Sequence, residues 1–255
     1  MMRMQTTHIE SAEAGYRIAL GLHRDRAAAG WKPLGRKIGF TNRGIWPRYG
    51  VYQPIFGFVY DRSVTFAPEG RASINLAGLA QPRIEPEICF GLKGAPPRSK
   101  NPAEILSAID WVAHSIEIVQ CTLPNWQMKV GDSTAANGLH GALVVGRKVP
   151  VRDIDDLAGK LPLMRVTLRK GDTIVDSGVG SNVLDSPLLA LAHLVELLGS
   201  LPEFPPLIAG EIISTGTLTD AAPVAADETW STQFDADELP GMNVSFTARF
   251  TGGAL

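Results

Sequence analysis

The chain has few of the features that mark secreted, membrane or nucleic-acid-binding proteins. Its 255 residues contain two cysteines, which cannot build a disulfide framework. The net charge of -2 gives no broad attraction to nucleic acid or to anionic membranes, so we expect neither as a partner. The first eight residues lack the apolar core of a signal peptide, and no apolar run approaches the roughly 20 residues that span a bilayer. We therefore expect a cytoplasmic protein.

Several common catalytic and cofactor motifs are also missing. The sequence contains neither the phosphate-binding pattern Gly-x-x-x-x-Gly-Lys-Ser/Thr nor the serine hydrolase pattern Gly-x-Ser-x-Gly. The stretch Gly178–Val183 begins like a dinucleotide-binding fingerprint, but its third glycine is absent. The five histidines show no metal-ligand spacing, so none of them is assigned to a site.

Three glutamates are the most informative feature that is present. Glu85 and Glu87 lie in Arg83–Phe90, and Glu117 lies in Ser115–Val119. Both segments predict β-strands, because apolar residues alternate with other residue types. Glu85 and Glu87 therefore share one strand face. Two carboxylates in apolar company repel each other, and a bound divalent cation would remove that cost. Oxygen ligands alone favour Mg²⁺ or Mn²⁺.

The alternative is a solvated strand face, on which the glutamate pair binds Arg83 or lysines, as surface carboxylates usually do. Two features of the sequence favour a site instead. Glu117 stands between two isoleucines in a strand that has no other carboxylate. Pro86, between the paired glutamates, indicates a bulge or a sheet edge, where the backbone is often re-aimed next to a site.

The rest of the pattern predicts a β-rich α+β protein. Residues 11–30 predict a helix that ends at Gly30, and a glycine-containing, aromatic connector follows from Gly39 to Gly57. Two further helices are predicted at Pro102–Ile109 and Pro187–Leu198. The strand candidates are Phe58–Tyr60, Ile84–Phe90, Trp111–Gln120, Ala142–Val145, Leu163–Arg169, Glu211–Ser214 and Asn243–Phe250.

Short motifs follow one another in a recognisable order, which is Gly35–Thr41, Pro82–Ile88, Ile116–Val119, Asp132 and Asn137-Gly138. Together they resemble the 2-keto-4-pentenoate hydratase and 4-oxalocrotonate decarboxylase family, within the fumarylacetoacetate hydrolase superfamily. The resemblance extends from about residue 11 to the C-terminus. It implies a mixed β-roll core beside a small N-terminal helical, α/β cap. We divide the chain into a cap and connector, residues 1–60, and a catalytic core, residues 61–255.

The resemblance also implies roles for particular residues. Glu85, Glu87 and Glu117 match the metal ligands of the family. Lys37 matches its active-site lysine, although outside the family an exposed loop lysine would be the simpler reading. A buried lysine next to other cations loses its proton readily, so it can bind a carboxylate or pass a proton.

Asp132 is a second catalytic candidate, with a turn after Gly131 as the alternative. The candidates for substrate binding are Arg36, Phe56 and Asn137.

The sequence departs from the family pattern at two positions. Ala136 stands where the family has the second aspartate of an Asp-x-x-x-Asp-Asn stretch. Ile55 stands where hydratases of the family have an aspartate that assists proton transfer. Because an isoleucine cannot relay a proton, the second departure favours decarboxylation over hydration.

Together with the three glutamates, the family resemblance implies a Mg²⁺- or Mn²⁺-dependent lyase that acts on a small 2-oxo or 2-hydroxydienoic acid in the catabolism of aromatic-type compounds. Two alternatives stay open. One is a hydrolase that cleaves a carbon–carbon bond in an acylpyruvate, and the other is a catalytically weak subunit that stabilises a partner enzyme of its pathway. The family resemblance, together with strand edges that need covering, predicts a homo-oligomer.

Overall fold

The structure is a computed structural model that describes residues 8–249. The helices in this range are α1 (Ala12–Ala28), α2 (Trp46–Tyr49), α3 (Pro102–Leu106), α4 (Val130–Ala135), α5 (Leu157–Lys160) and α6 (Pro187–Gly199). The strands are β1 (Pro33–Gly39), β2 (Ile55–Tyr60), β3 (Val64–Phe66), β4 (Arg71–Asn75), β5 (Arg83–Leu92), β6 (Ile109–Val119), β7 (His140–Val145), β8 (Val149–Pro150), β9 (Arg165–Lys170), β10 (Thr173–Val179), β11 (Ile212–Thr217), β12 (Ala222–Pro223), β13 (Thr229–Phe234) and β14 (Asn243–Thr247).

Two mixed sheets contain all fourteen of these strands. The larger one has nine strands in the order β2-β1-β11-β5-β6-β7-β3, with β12 added to β5 and β8 added to β6. The smaller one has the order β10-β9-β13-β14-β4. With few helices beside two sheets, the fold is the β-rich α+β arrangement predicted from the sequence.

The long antiparallel pair of β5 and β6 positions the glutamates. Its register places Glu85 directly opposite Glu117. Ile84, Ile116 and Ile118 point to the other face, because side chains alternate along a strand. That face is buried in an apolar cluster with residues of the smaller sheet, among them Trp230. The second sheet therefore covers one face of β5 and β6 and leaves the glutamate face to the site.

The two long predicted helices are confirmed. Ser11 caps α1, because its hydroxyl accepts a hydrogen bond from the backbone N–H of Ala14. Ser186 caps α6 in the same way, and Pro187 occupies the first helical position. The third predicted helix is wrong at its end, because α3 stops at Leu106 and Ile109 already begins β6.

The predicted strands lie within a few residues of observed ones, although Phe250 is outside the described residues. Four longer strands, β1, β4, β10 and β13, were not expected from the pattern. Strand β1 was missed because Gly35 and the adjacent cations Arg36 and Lys37 are not typical of a strand. The predicted connector, Gly39 to Gly57, is also shorter than expected, since β1 ends at Gly39 and β2 begins at Ile55.

The division of the chain at residue 60 stays a prediction. Strands β1 and β2, which precede that residue, are hydrogen-bonded into the nine-stranded sheet. β1 pairs in parallel with β11, which in turn pairs with β5. This arrangement brings Lys37 of β1 towards the glutamate face of β5 and β6.

One stretch, residues 180–199, has the length and mean hydropathy of a membrane-spanning segment. The helix within it, α6, has 13 residues. Most of its apolar side chains, including Leu188, Leu191 and Leu194, are buried in the largest apolar cluster of the protein. A core helix has the same composition, so this stretch is weak support for a membrane span.

Candidate metal centre

Three carboxylates meet at the centre of the nine-stranded sheet. One oxygen each of Glu85, Glu87 and Glu117 lies within 4.8 Å of the other two. Glu87 and Glu117 are fully buried, and Glu85 is partly exposed. Accessibility therefore decreases along β5 from Glu85 to Glu87, and the three oxygens form an oxygen-only set of the kind that hard divalent cations prefer.

Lys37 is the cation nearest to this set. Its Nζ lies 3.0 Å from Oε2 of Glu117 and donates a hydrogen bond of 2.9 Å to the carbonyl oxygen of Gly138. The side chain is buried. The structure thus brings Lys37 together with the three glutamates, as the family resemblance predicted.

Glu87 is held by groups from β11. Its Oε2 accepts hydrogen bonds from the hydroxyl of Ser214, at 2.5 Å, and from the backbone N–H of Gly216, at 3.1 Å. Its other oxygen, Oε1, is buried without a hydrogen-bond partner among the described residues. A buried carboxylate oxygen without a donor is costly. Oε1 of Glu87 is therefore available as a ligand for a cation.

His140 is a site residue that the sequence did not reveal. Its Nδ1 lies 2.7 Å from Oε1 of Glu117, and its Nε2 lies 2.8 Å from the hydroxyl of Ser63. Because a carboxylate only accepts hydrogen bonds, Nδ1 of His140 carries a hydrogen and donates a hydrogen bond to Glu117. Such a histidine behind a carboxylate orients a ligand, as partners behind metal ligands commonly do.

No sequence spacing could have found His140, since the contact joins the start of β7 to β6 across the sheet.

The ionisation of the glutamates reflects their burial. Burial raises the pKa of Glu85 to about 7, with Glu117 adding to the rise and Lys37 opposing it. Burial and the charges of the other two glutamates raise the pKa of Glu87 well above its usual value. For Glu117, burial is outweighed by Lys37 and His140, which hold its pKa below the usual value.

The site therefore contains more carboxyl groups than its own cation can keep ionised. Three carboxylates face one lysine, whose pKa is raised because the glutamates outweigh the effect of burial. A divalent cation supplies two positive charges, and the free oxygen of Glu87 supplies a ligand. The residues present consequently fit Mg²⁺ or Mn²⁺.

A cavity of about 80 Å³ lies next to the carboxylates. Its charged lining residues are Lys37, Arg83 and Glu85. Most of the remaining wall is apolar, and its larger side chains are Ile38, Phe40, Ile45, Tyr49, Ile55, Val119, Trp126, Met128 and Leu139. A cavity of this size and character accepts a small acid whose carboxylate meets the charged end.

Arg36 lies on the opposite face of β1 from Lys37, away from this cavity. Its guanidinium donates a hydrogen bond of 2.9 Å to Glu211 and lies 4.0 Å from the ring centroid of Phe58. The side chain is buried. The structure therefore does not bring Arg36 to the glutamates, because adjacent residues of a strand point to opposite faces.

Phe56 and Asn137 also point elsewhere. The ring of Phe56 stacks on Tyr16 at 4.8 Å between centroids and belongs to the apolar core. The side-chain amide of Asn137 accepts a hydrogen bond from the backbone N–H of Phe58 and donates one to the carbonyl oxygen of Phe58. This clamp fixes the turn that presents the carbonyl oxygen of Gly138 to Lys37, so Asn137 supports the site without lining it.

Asp132 caps α4 rather than lining the cavity next to Glu85. Its carboxylate accepts hydrogen bonds from the backbone N–H groups of Lys129, at 2.8 Å, and Ile9, at 2.9 Å. Nδ1 of His8 lies 2.6 Å from the same carboxylate. The structure therefore gives Asp132 a capping role, and its predicted catalytic role stays a prediction.

The comparisons with known proteins agree with this geometry. Residues 50–238 match the family model of the fumarylacetoacetate (FAA) hydrolase C-terminal region. The chain belongs to this family. The match covers β2 to β13 and so includes the three glutamates and His140.

Two relatives resemble the chain over most of its length. A 2-hydroxyhexa-2,4-dienoate hydratase of Comamonas testosteroni is 34% identical over 221 residues, which cover 86% of this chain and 80% of the relative. The structure of 4-oxalocrotonate decarboxylase from Pseudomonas putida G7, complexed with magnesium and adipate, superposes with a TM-score of 0.82. Its sequence identity is 26%, and the superposition covers 92% of this chain and 86% of that one.

A more distant structure shares the fold. Fumarylpyruvate hydrolase from Pseudomonas aeruginosa, in complex with Mn²⁺ and pyruvate, superposes with a TM-score of 0.62 at 14% identity. The superposition covers 84% of this chain and 89% of that one. The family model and the 34% identical relative confirm the expected membership of the fumarylacetoacetate hydrolase superfamily.

Proposed function

We propose that this protein is a divalent-metal-dependent lyase that acts on a small 2-oxo or 2-hydroxydienoic acid in the catabolism of aromatic-type compounds. The observation that carries the proposal is the convergence of Glu85, Glu87 and Glu117 beside Lys37 at the end of a small apolar cavity. Homology supports it, since similar chains are named as dienoate hydratases and as a magnesium-complexed decarboxylase.

Glu85, Glu87 and Glu117 would hold Mg²⁺ or Mn²⁺. When bound, the ion would act as a Lewis acid towards the 2-oxo group of the substrate. Lys37 would place its ammonium group next to that group and stabilise the negative charge that develops on the substrate. The carbonyl of Gly138 would hold the ammonium in place, and the apolar wall would exclude water, which strengthens these interactions.

Ile55 favours decarboxylation over hydration. Its side chain lines the cavity, where the aspartate of the family's hydratases would assist proton transfer. Addition of water requires a group that moves a proton to or from that water. An isoleucine offers none, whereas the bond-breaking step of decarboxylation needs stabilisation of the charge that is left behind, and a proton is taken up only afterwards. The hydratase names of several relatives keep hydration as the second candidate.

Product analysis tests the proposal directly. The Mg²⁺-loaded protein is incubated with a 2-hydroxydienoate, with an unsaturated 2-oxo dicarboxylate and with an acylpyruvate, and carbon dioxide, hydrated acid and cleaved acid are measured together. Carbon dioxide supports decarboxylation, the hydrated acid supports hydration, and cleavage of the acylpyruvate identifies the alternative hydrolase. Failure to bind metal or to convert any 2-oxo acid would favour the weak partner subunit.

Assembly and location complete the proposal. We expect a homo-oligomer in the cytoplasm, with association to another enzyme of the same pathway as a further option. The edge strands β3, β4 and β10 support self-association because exposed strand edges are commonly covered, whereas the fourth edge strand, β2, is hydrogen-bonded to Asn137. Light scattering at micromolar concentration would give a monomer mass if this expectation is wrong.

A further inference from the structure

The two fully buried glutamates of the metal centre each have one oxygen held by the protein and one left free. In Glu87, Oε2 accepts hydrogen bonds from Ser214 and Gly216, and Oε1 has no hydrogen-bond partner among the described residues. In Glu117, Oε1 lies 2.7 Å from Nδ1 of His140, and Oε2 has no hydrogen-bond partner within residues 8–249. We call Oε2 of Glu87 and Oε1 of Glu117 the held oxygens, and their counterparts the free oxygens.

The free oxygen of Glu117 lies close to a cation without being hydrogen-bonded to it. Nζ of Lys37 is 3.0 Å from this oxygen, yet its hydrogen bond goes to the carbonyl oxygen of Gly138, at 2.9 Å. The contact with Glu117 does not have the alignment of a hydrogen bond. Since a buried polar atom without a partner is costly, the free oxygens of the two glutamates are the atoms that gain from a bound ion.

The held oxygen of Glu87 results from a bulge in β11. Ser214 of this strand pairs with Cys89 of β5, and Thr217 pairs with the residue two positions before Cys89. Three steps along β11 therefore face two steps along β5. Between the two pairs Gly216 has a φ of 102°, a left-handed conformation that favours glycine. Its N–H consequently points at the carboxylate of Glu87 instead of joining the ladder.

The held oxygen of Glu117 is fixed from the neighbouring strand β7. His140 begins β7, and its Nε2 lies 2.8 Å from the hydroxyl of Ser63, so contacts at both ring nitrogens fix the imidazole. His140 and Glu117 are both buried. Neither held oxygen can therefore turn towards an ion without the loss of a hydrogen bond inside the protein, which is costly in a buried site.

Glu85 differs from the other two glutamates. It is partly exposed and lines the cavity, and no hydrogen bond from residues 8–249 reaches its carboxylate. It can offer an ion one oxygen or both. The protein thus supplies one oxygen from Glu87, one from Glu117 and one or two from Glu85, which is three or four in all.

This small number of oxygens suits a small ion better than a large one. Mg²⁺ takes about six oxygens in an octahedron, whereas Ca²⁺ takes about six to eight and commonly binds both oxygens of a carboxylate. Three carboxylate oxygens leave about half of an octahedron to substrate and water. For Ca²⁺ the held oxygens are missing from the larger shell, because they are already bound within the protein.

We infer that the hydrogen bonds to the held oxygens set the metal preference of the site, because they restrict Glu87 and Glu117 to one ligand oxygen each and so favour Mg²⁺ over Ca²⁺. This inference rests on the metal site of the function proposed above and concerns its choice of ion. Ser214, Gly216 and His140 are positioning residues that act through the glutamates. Selectivity arises because Ca²⁺ could take a second oxygen from either glutamate only by breaking a buried hydrogen bond.

Calorimetry with two ions tests the inference without substrate or turnover. MgCl₂ and CaCl₂ are titrated separately into the metal-free protein at one pH and ionic strength, and the calcium Kd is divided by the magnesium Kd. Both ions displace the same protons from the carboxylates, so the ionisation of the site cancels in this ratio. We expect a ratio of about ten or more in the wild type, the scale of one hydrogen bond to a charged group.

Removal of either donor should weaken the preference for magnesium. His140→Ala should lower the ratio by about tenfold, because it frees the held oxygen of Glu117 for a second contact with calcium while magnesium affinity falls. Ser214→Ala should lower the ratio by about threefold, half as much in free energy, since the N–H of Gly216 still holds Glu87. His140→Asn keeps an N–H donor near the position of Nδ1 and should retain most of the preference, which distinguishes the hydrogen bond from packing of the ring.

Ser115→Ala is the matched control. Ser115 is as fully buried as Ser214, and its hydroxyl lies 3.2 Å from that of Ser214. Among the described residues this hydroxyl forms no hydrogen bond with a glutamate, so the same substitution should leave the ratio unchanged. Melting curves without metal show whether each variant is folded. Ser214→Ala, the smaller change, decides the inference if His140→Ala does not fold.

The outcomes separate this inference from the proposed function. Magnesium binding with a ratio near one in the wild type, or a ratio that either His140→Ala or Ser214→Ala leaves unchanged, would overturn the role of the held oxygens and leave the lyase proposal standing. An equal fall in Ser115→Ala or in His140→Asn would also overturn it, because the preference would then depend on packing. A protein that binds neither ion would overturn both proposals.

Discussion

Two buried charge clusters lie on opposite faces of β1, and they differ in balance. On one face Arg36 pairs with Glu211 alone, one cation with one anion. On the other face Lys37 meets Glu117 within a set of three carboxylates. Neighbouring residues of one strand therefore supply a neutral pair to the core and an incompletely neutralised cluster to the cavity.

The two clusters differ in how their buried charge is compensated. A buried pair of opposite charges neutralises itself, although Nε of Arg36 and Oε2 of Glu211 have no hydrogen-bond partner among the described residues. This pair holds β1 against the segment before β11. A cluster of like charges repels itself, and folding retains it only where its members hold protons or another component supplies the missing charge. The unbalanced cluster is thus the functional one. Removing an acid from each cluster should have opposite effects.

The largest effect is expected for Glu87→Gln, which keeps the side-chain shape and removes one carboxylate of the unbalanced cluster. Magnesium affinity should fall by more than about 100-fold, because even changes to residues behind a ligand cost about 10- to 100-fold. The metal-free variant should be more stable than the metal-free wild type, since repulsion with Glu85 and Glu117 is relieved. Calorimetry and thermal melts without metal measure both. Exposed Glu203→Gln is the control, and unchanged magnesium affinity in Glu87→Gln would remove this ligand.

The opposite result is expected for Glu211→Gln in the balanced pair. Arg36 is then buried without its counter-ion, which should cost about 3 kcal/mol of unfolding free energy. Magnesium affinity should be unchanged. Urea unfolding measures the loss, and the double variant with Arg36→Met and Glu211→Leu should recover most of it, because an apolar pair replaces a neutral ion pair well. A stable Glu211→Gln protein would make the pair dispensable.

Lys37→Met tests the cation of the unbalanced cluster. Turnover should fall by at least about 100-fold, the usual scale for a lost acid–base or charge-stabilising group. Metal affinity should survive, since lysine is not a ligand and its charge opposes that of the ion. The two quantities are measured on the same preparation. Turnover near that of the wild type would exclude Lys37 from the mechanism, whereas weakened metal binding would show that the substitution had disturbed the carboxylates.

His140→Ala should have a smaller effect, because the residue acts through Glu117. Loss of the hydrogen bond to Oε1 frees Glu117 to rotate, and magnesium affinity should fall by about tenfold. His140→Asn places an amide N–H near the position of Nδ1 and should restore most of the affinity. Recovery by asparagine separates the hydrogen bond from the mere volume of the ring, and equal loss in both variants would assign His140 to packing.

The sequence predicted the parts of the site that depend on local periodicity. Glu85 and Glu87 share a face because a strand has a period of two, and the strand itself was evident from its apolar residues. Glu117 was assigned through the family resemblance and through its isoleucine neighbours. The contact of His140 with Glu117 depends on the register of β6 and β7, which no local pattern encodes.

Arg36 was expected at the cavity because β1 was not predicted as a strand. Had β1 been predicted, alternation alone would have placed Arg36 and Lys37 on opposite faces. Gly35, with a φ of 157°, lies where an added Cβ would collide with the backbone of Ile212. Glycine at position 35 therefore allows β1 to pair closely with β11, whereas in the sequence it resembled a loop residue. For Asp132 the sequence could not separate a capping role from a catalytic one, since helix caps and catalytic acids favour the same residue type.

A further expected effect concerns pH in the metal-free protein. Burial raises the pKa of Glu85 to about 7, above the usual value of 4.5 that an unfolded chain has. Between these values the folded protein holds a proton that the unfolded chain has lost, so this group lowers stability as pH rises through the window. Other groups, such as His114, whose pKa is lowered to about 4 by burial, act in the opposite direction.

The difference between wild type and Glu85→Gln isolates this contribution. The free energy of unfolding of the metal-free variant, relative to wild type, should increase from pH 4.5 to 7 and then level off. Saturating Mg²⁺ should reverse the trend in the wild type, because the ion binds the ionised carboxylates and its stabilising effect grows as they lose their protons. Parallel pH profiles of wild type and Glu85→Gln without metal would show that Glu85 ionises as freely as a surface carboxylate. The contrast between the two faces of β1 would then rest on Glu87 and Glu117 alone.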